Sequence, residues 1–182
     1  QEGYYQHFKA VAEATDLPVI VYNVPTRTSS NISPQTVLRL AQDFKNIVAI
    51  KEAAGLVSQA AELYSLLPED FTIYSGDDLL ILPFMSVGAS GLISVVSNTG
   101  GQLLQELMQA FAEGRVKDAM DINARMIPLA KALFVTTNPI PVKEAVTMLT
   151  PINAGPLRLP LVSMSEAENE KMCAVFKKYN LI

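Results

Sequence analysis

The sequence predicts an α/β fold in which four parallel βα units precede a helical domain. Three observations carry this. Short apolar runs begin near residues 19, 47, 71 and 92, and a helical pattern separates each pair, which is the alternation of parallel βα units. The runs are apolar on consecutive positions, as expected of strands buried on both faces. From Thr99 onward the pattern is purely helical.

Taken in order, Gly3 to Asp16 carries Tyr4, Phe8, Val11 and Ala12 at helical spacing, and Pro18 opens the strand Val19-Ile20-Val21-Tyr22. Ser33 with Pro34 is an N-cap followed by a first-turn proline, starting a helix to about Gln42, after which Ile47 to Lys51 forms the second strand. Ser58 to Leu67 makes the next helix, stopped by Pro68, and Phe71 to Ser75 the third strand. Asp78 to Val87 is helical, Gly88 ends it, and Leu92 to Val96 is the fourth strand. Helices are then expected over Gly101 to Glu113, Val116 to Val135 with a kink at Pro128, Pro139 to Leu149, and Ser165 to Tyr179, where Ser165 and Glu168 have capping-box spacing. The composition shift near Gly114 divides the chain into a half barrel, 1–113, and a helical domain, 114–182. An eight-stranded barrel needs roughly 250 residues, so four units would form its second half; a small open sheet fits the same periodicity.

Composition narrows the function. The 182 residues are 49% hydrophobic, with 14 Lys plus Arg against 18 Asp plus Glu, the balance of an ordinary globular protein. A formal charge of −4 without a run of like charges argues against nucleic-acid binding, which needs a clustered basic face. Cys173 has no second cysteine to pair with, and with His7 alone it cannot build a usual zinc site, so no metal is expected. A reducing, cytoplasmic compartment is the default. Leu79 to Gln105 is uncharged and long enough to span a bilayer. Pro83, Gly88, Gly91, Asn98, Gly100 and Gly101 punctuate it, so it reads as buried helix, strand and turn, with no membrane expected. Gln1 is not a start methionine and no signal peptide follows it, so the chain is expected to be incomplete at its N-terminus.

In parallel α/β folds ligands sit at the carboxyl ends of the strands. Here those ends read Tyr22-Asn23-Val24-Pro25-Thr26-Arg27-Thr28, Lys51-Glu52-Ala53, Ser75-Gly76-Asp77-Asp78 and Ser94 to Asn98. Alternation puts Ile47, Ala49 and Lys51 on one strand face and Val48, Ile50 and Glu52 on the other. A lysine facing a barrel interior is costly unless used or paired. Desolvation favours the neutral form of an amine, and a neutral amine attacks ketones. The alternative is a lysine ion-paired with Asp77 or Asp78. Tyr22 shares the carboxyl-end layer with Lys51, where a phenol would exchange a proton with a carbinolamine; otherwise it is a core tyrosine with its hydroxyl at the rim. Arg27, on the loop after the strand, offers a guanidinium fork suited to a carboxylate, or is a solvated loop arginine. Asp77 and Asp78 read most simply as caps of the following helix.

Tyr22-Asn23-Val24-Pro25-x-Arg27-Thr28, Ile50-Lys51-Glu52-Ala53, Ser75-Gly76-Asp77-Asp78, Gly91-Leu92-Ile93-Ser94-Val95 and Asn138-Pro139-Ile140-Pro141-Val142-Lys143, in this order, resemble the dihydrodipicolinate synthase family. The resemblance implies the C-terminal half of a (β/α)8 TIM barrel followed by a helical domain, in a homo-oligomer that is usually tetrameric. It implies pyruvate and aspartate semialdehyde as substrates in lysine (diaminopimelate) biosynthesis, and a covalent imine between lysine and pyruvate with no other cofactor. Lys51 then matches the Schiff-base lysine, Tyr22 the proton-relay tyrosine, Arg27 the ligand of the semialdehyde carboxylate, and Ile93 a residue lining the pyruvate site. The family commonly has glycine after the Arg-Thr pair, where this chain has Ser29. The family's first four strands, with a pyruvate-binding threonine pair and a tyrosine donated across a dimer, have no counterpart here, so the isolated chain is expected to be inactive. The other readings are an N-acetylneuraminate lyase, a 2-keto-3-deoxy-sugar-acid aldolase of the same superfamily, or a noncatalytic half-barrel assembly module.

Overall fold

The computed structural model describes residues 1–182. It divides into two compact units, Gln1–Ile93 and Ser94–Ile182. The first holds α1 (Glu2–Glu13), β1 (Val19–Asn23), α2 (Pro25–Thr28), α3 (Pro34–Asp43), β2 (Ile47–Glu52), α4 (Val57–Leu66), β3 (Thr72–Ser75), α5 (Ile81–Ser86) and β4 (Gly91–Leu92). The four strands form one sheet in the order β1-β2-β3-β4, and every pair is parallel.

Local chemistry explains most boundaries. Ser33 accepts a hydrogen bond from the Thr36 N–H at 3.3 Å, with Pro34 at the first position of α3, as a capped helix start requires. Gly88 ends the α5 segment at φ +103°, and a β-carbon there would lie 2.1 Å from the Tyr64 ring, so only glycine fits.

Helices α1, α3, α4 and α5 cover one face of the sheet, joining Val21, Ile50 and Ile73 of the strands to Tyr5, Leu40, Leu63 and Phe84 in one apolar cluster. Each such buried aliphatic or aromatic side chain contributes about 1.5–3 kcal/mol. The other face stays open, with Ile20, Tyr22 and Val48 exposed. The consecutive apolar runs predict strands covered on both sides; within this unit helices cover one side only.

Two further expectations change. Val19 pairs with Ile47 but Ile20 with Ala49, so the register shifts at Val48. This bulge sends Ile47 into the helix-side cluster with Ile50, correcting the alternation that grouped Ile47 with Lys51; an extra residue in one strand resets side-chain parity. The fourth strand is shorter than Leu92 to Val96. It ends at Leu92, with the Ile93 N–H still donating to the Ser75 carbonyl at 2.9 Å. Ser94 then accepts from the Ser97 N–H at 2.8 Å, a local turn that competes with the strand ladder.

The second unit is helical: α6 (Ser97–Ala112), α7 (Val116–Ala132), α8 (Ile140–Leu149) and α9 (Glu166–Lys178). Helix α6, which composition groups with the strands, packs on α7 and α8. Its first turn is separated from the rest at Gly100, which lies outside helical backbone geometry, so the expected start at Gly101 marks a real break. Pro128 lies within α7. The capping box of α9 is formed, and the Ser165 N–H and hydroxyl donating to Glu168 hold its carboxyl below the usual carboxylate range.

Candidate active site

Register decides which side chains meet. Tyr22 pairs with Lys51, Lys51 with Tyr74, and Tyr74 with Gly91, giving one row across all four strands. The next row is Asn23, Glu52, Ser75 and Leu92. Successive residues of a strand face opposite ways, so the first row lies on the open face and the second against the helices.

On the open face Lys51 is half-buried and Tyr22 is 44% exposed. The Lys51 Nζ sits 4.1 Å from the centroid of the Tyr22 ring, within range of the electron-rich ring face. Amine and phenol ring are therefore neighbours at the carboxyl ends of β1 and β2. Gly76 makes room for the lysine: a β-carbon there would stand 3.1 Å from Lys51 Cε and 2.5 Å from Ala53 Cβ. Asp77 is the cap that its spacing suggests, accepting from the Leu79 N–H at 2.8 Å. The ion pairs, Lys9–Glu13, Arg39–Glu2, Arg115–Glu113, Arg115–Asp118 and Lys117–Asp121, do not involve Lys51.

Arg27 lies in the last turn of α2 and is exposed. The loop after β1 thus folds into a short helical turn. It is closed by Ser29 in the left-handed conformation, φ 56° and ψ 21°, whose N–H donates to the Pro25 carbonyl at 2.9 Å. Glycine adopts that geometry at little cost and other residues do not, so Ser29 holds a strained backbone position at the end of this turn. Ile93 follows β4 directly and is 39% exposed. All four residues singled out in the sequence, Tyr22, Lys51, Arg27 and Ile93, therefore lie at or just beyond the carboxyl ends of the strands in the first unit.

The helix-facing row holds residues that sequence reasoning passed over. Glu52 is fully buried and accepts from the Asn23 side-chain amide, the Gln59 side-chain amide and the Ala54 N–H. The signal was present: Glu52 shares its face with Ile50, and a carboxylate on an otherwise apolar face must find donors. Tyr74 was missed as well: period-two alternation in Thr72-Ile73-Tyr74-Ser75 separates its face from that of Ile73, and the register of β2 with β3 sets it beside Lys51. No group of three His, Cys, Asp or Glu side chains converges on a metal-sized site. A cavity of about 360 Å³, lined by residues including Tyr64, Pro68, Glu69 and Ser90, lies toward the amino ends of β3 and β4, away from Lys51.

An amine beside a phenol at the carboxyl end of a parallel sheet is equipped for carbonyl chemistry. The family model described as the dihydrodipicolinate synthetase family matches residues 1–179. The chain belongs to that family. Among curated relatives, 4-hydroxy-tetrahydrodipicolinate synthase of Moorella thermoacetica is 50% identical over 182 residues, covering 100% of this chain and 62% of the relative. That of Archaeoglobus fulgidus is 46% identical over 181 residues, again covering 100% and 62%. Of solved structures, dihydrodipicolinate synthase from Aquifex aeolicus superposes with a TM-score of 0.94 at 44% identity, over 99% of this chain and 61% of that one. The chloride-inhibited enzyme from Acinetobacter baumannii, complexed with pyruvate, gives 0.91 at 39% identity, over 100% and 62%. The chain thus spans about 62% of the length of these family members. No helix is long and apolar enough to cross a membrane.

Proposed function

We propose that this chain supplies the lysine-bearing, C-terminal part of a cytoplasmic 4-hydroxy-tetrahydrodipicolinate synthase in lysine (diaminopimelate) biosynthesis, working as a homo-oligomer, by family analogy a tetramer. The observation that carries the reading is Lys51 Nζ lying 4.1 Å over the Tyr22 ring, in a family whose relatives bear that enzyme's name. The C-terminal assignment is supported by the chain order, four βα units followed only by helices.

In this mechanism the neutral Lys51 amine attacks the ketone carbon of pyruvate to form a carbinolamine. Tyr22 moves the proton that lets hydroxide leave as water, and an imine remains. Loss of a proton from the pyruvate methyl group gives an enamine, whose carbon attacks the aldehyde of aspartate semialdehyde. Arg27 holds the semialdehyde carboxylate through a bidentate, charge-assisted contact, and Ile93 lines the pyruvate side. The substrate amine then displaces Lys51 and closes the ring. Preorganised donors for such charge are worth about 2.7–4 kcal/mol each, so a chain without the remaining part of the barrel is expected to turn over negligibly.

Acceptor choice tests the reading. With the rest of the barrel supplied by fusion or mixing, pyruvate should condense with aspartate semialdehyde far faster than with N-acetylmannosamine or sugar-derived aldehydes. Preference for a sugar aldehyde would assign the chain to the aldolase or N-acetylneuraminate lyase branch. No condensation with any acceptor would leave the noncatalytic module.

A further inference from the structure

Glu52, next to Lys51 in sequence and opposite to it in facing, is a buried carboxylate that the proposed reaction does not use. It is 0% exposed, and its oxygens are held by neutral donors: the Asn23 amide at 2.8 and 3.1 Å, the Gln59 amide at 2.9 Å and the Ala54 N–H at 2.6 Å. The same amides reach further. Asn23 also donates to Asn31 Oδ1 at 2.7 Å, Asn31 donates to Gln59 Oε1 at 2.8 Å, and Asn23 Oδ1 accepts from the Ile32 N–H at 3.3 Å. One carboxylate therefore gathers the end of β1, which carries Tyr22; the end of β2, which carries Lys51; and the segment leaving the Arg27 turn. It fastens all three to α4 through Gln59.

We propose that Glu52 is a positioning residue, fixing Tyr22, Lys51 and the Arg27 turn relative to one another; the role in catalysis rests on the imine reading of Lys51. Apolar packing is non-directional, whereas hydrogen bonds set distance and angle within narrow limits. A misplacement of about 1 Å costs about a hundredfold in rate. The carboxylate suits the role because it accepts only, and every group around it donates. A glutamine here turns one acceptor into a donor facing donors, so an almost isosteric change breaks the ring.

The test compares wild type, Glu52→Gln and the exchange Glu52→Gln/Gln59→Glu in the protein completed with the rest of its barrel. In the exchange the amide introduced on β2 donates to the carboxylate introduced on α4, so the ring is rebuilt with its charge moved. Borohydride trapping with pyruvate and the KM for aspartate semialdehyde are measured on protein whose folding is checked by circular dichroism. Folded Glu52→Gln should trap pyruvate at least about tenfold more slowly and show a raised KM, and the exchange should restore both to within about threefold. A folded Glu52→Gln with wild-type trapping and KM, even if less heat-stable, overturns the proposal, because the carboxylate would then be structural alone. If Glu52→Gln does not fold, Gln59→Ala, which keeps the carboxylate and removes one of its donors, decides on folded protein: slowed trapping with a raised KM supports positioning, and wild-type trapping and KM overturn it. If wild type itself traps no pyruvate, the imine reading fails separately. The pH profile of Lys51 acetylation by acetic anhydride, relative to Lys131, then decides: a profile altered in Glu52→Gln and restored in the exchange supports positioning, and unchanged profiles overturn it.

Discussion

Lys51 and Glu52 are adjacent on one strand and live in opposite environments. Lys51 stands on the open face with its amine over an aromatic ring; Glu52 is sealed beneath helices with both oxygens hydrogen-bonded. The pleat of a strand separates consecutive side chains to opposite faces, so under the proposed function one short segment holds both the amine that reacts and the carboxylate that positions it. The open face is therefore recognised by the chemistry of its side chains, and the helix-covered face by its satisfied hydrogen bonds.

Substitutions on the two faces should behave differently. The largest expected effect is Lys51→Ala, which should abolish pyruvate trapping while changing unfolding free energy by less than about 1 kcal/mol, as for a half-exposed side chain. Glu52→Gln should instead lower stability, by about 2–3 kcal/mol in urea unfolding, because it leaves buried donors unpaired. Equal stability losses at both positions would remove the distinction. Arg27→Ala should leave pyruvate trapping within about twofold and weaken aldehyde use by about 2 kcal/mol, the worth of a charge-assisted contact. A parallel loss of trapping would place Arg27 on the pyruvate side instead.

Gly76→Ala sharpens the geometry of the open face. Its β-carbon would crowd Ala53 and Lys51 Cε, an overpacking that costs about 1–3 kcal/mol, and trapping should slow although no reactive group is removed. Unchanged trapping would mean that the lysine tolerates displacement. The smallest effect is expected at Ser29, whose left-handed backbone costs a non-glycine residue about 1 kcal/mol. Glycine gives part of that back through the greater freedom of the unfolded chain. Ser29→Gly should therefore raise the melting temperature slightly, and a fall would show that the serine side chain contributes more than its backbone costs.

Much of this was legible in the sequence because it depends on local rules. Ser33-Pro34 marks the start of α3, Ser165 with Glu168 marks that of α9, and parity on β2 beyond the bulge puts Lys51 on the face of Tyr22. What was not legible depends on pairing between segments. The bulge at Val48 exists only against β1, and the short β4 reflects Ser94 turning the chain toward α6. The Glu52 ring draws residues from β1, β2, the segment after α2, and α4, which no single window of sequence contains. The open sheet face was unreadable for a related reason: apolar runs record a need for burial, and not which chain segment meets it.

The most direct test of the account is to treat the completed protein with pyruvate and borohydride, digest it, and locate the adduct by mass spectrometry. A reduced pyruvate adduct is expected on Lys51, formed in preference to every other lysine and lost in Lys51→Ala. A protein that condenses pyruvate with aspartate semialdehyde yet carries no adduct on Lys51, or carries it on another lysine, would contradict it.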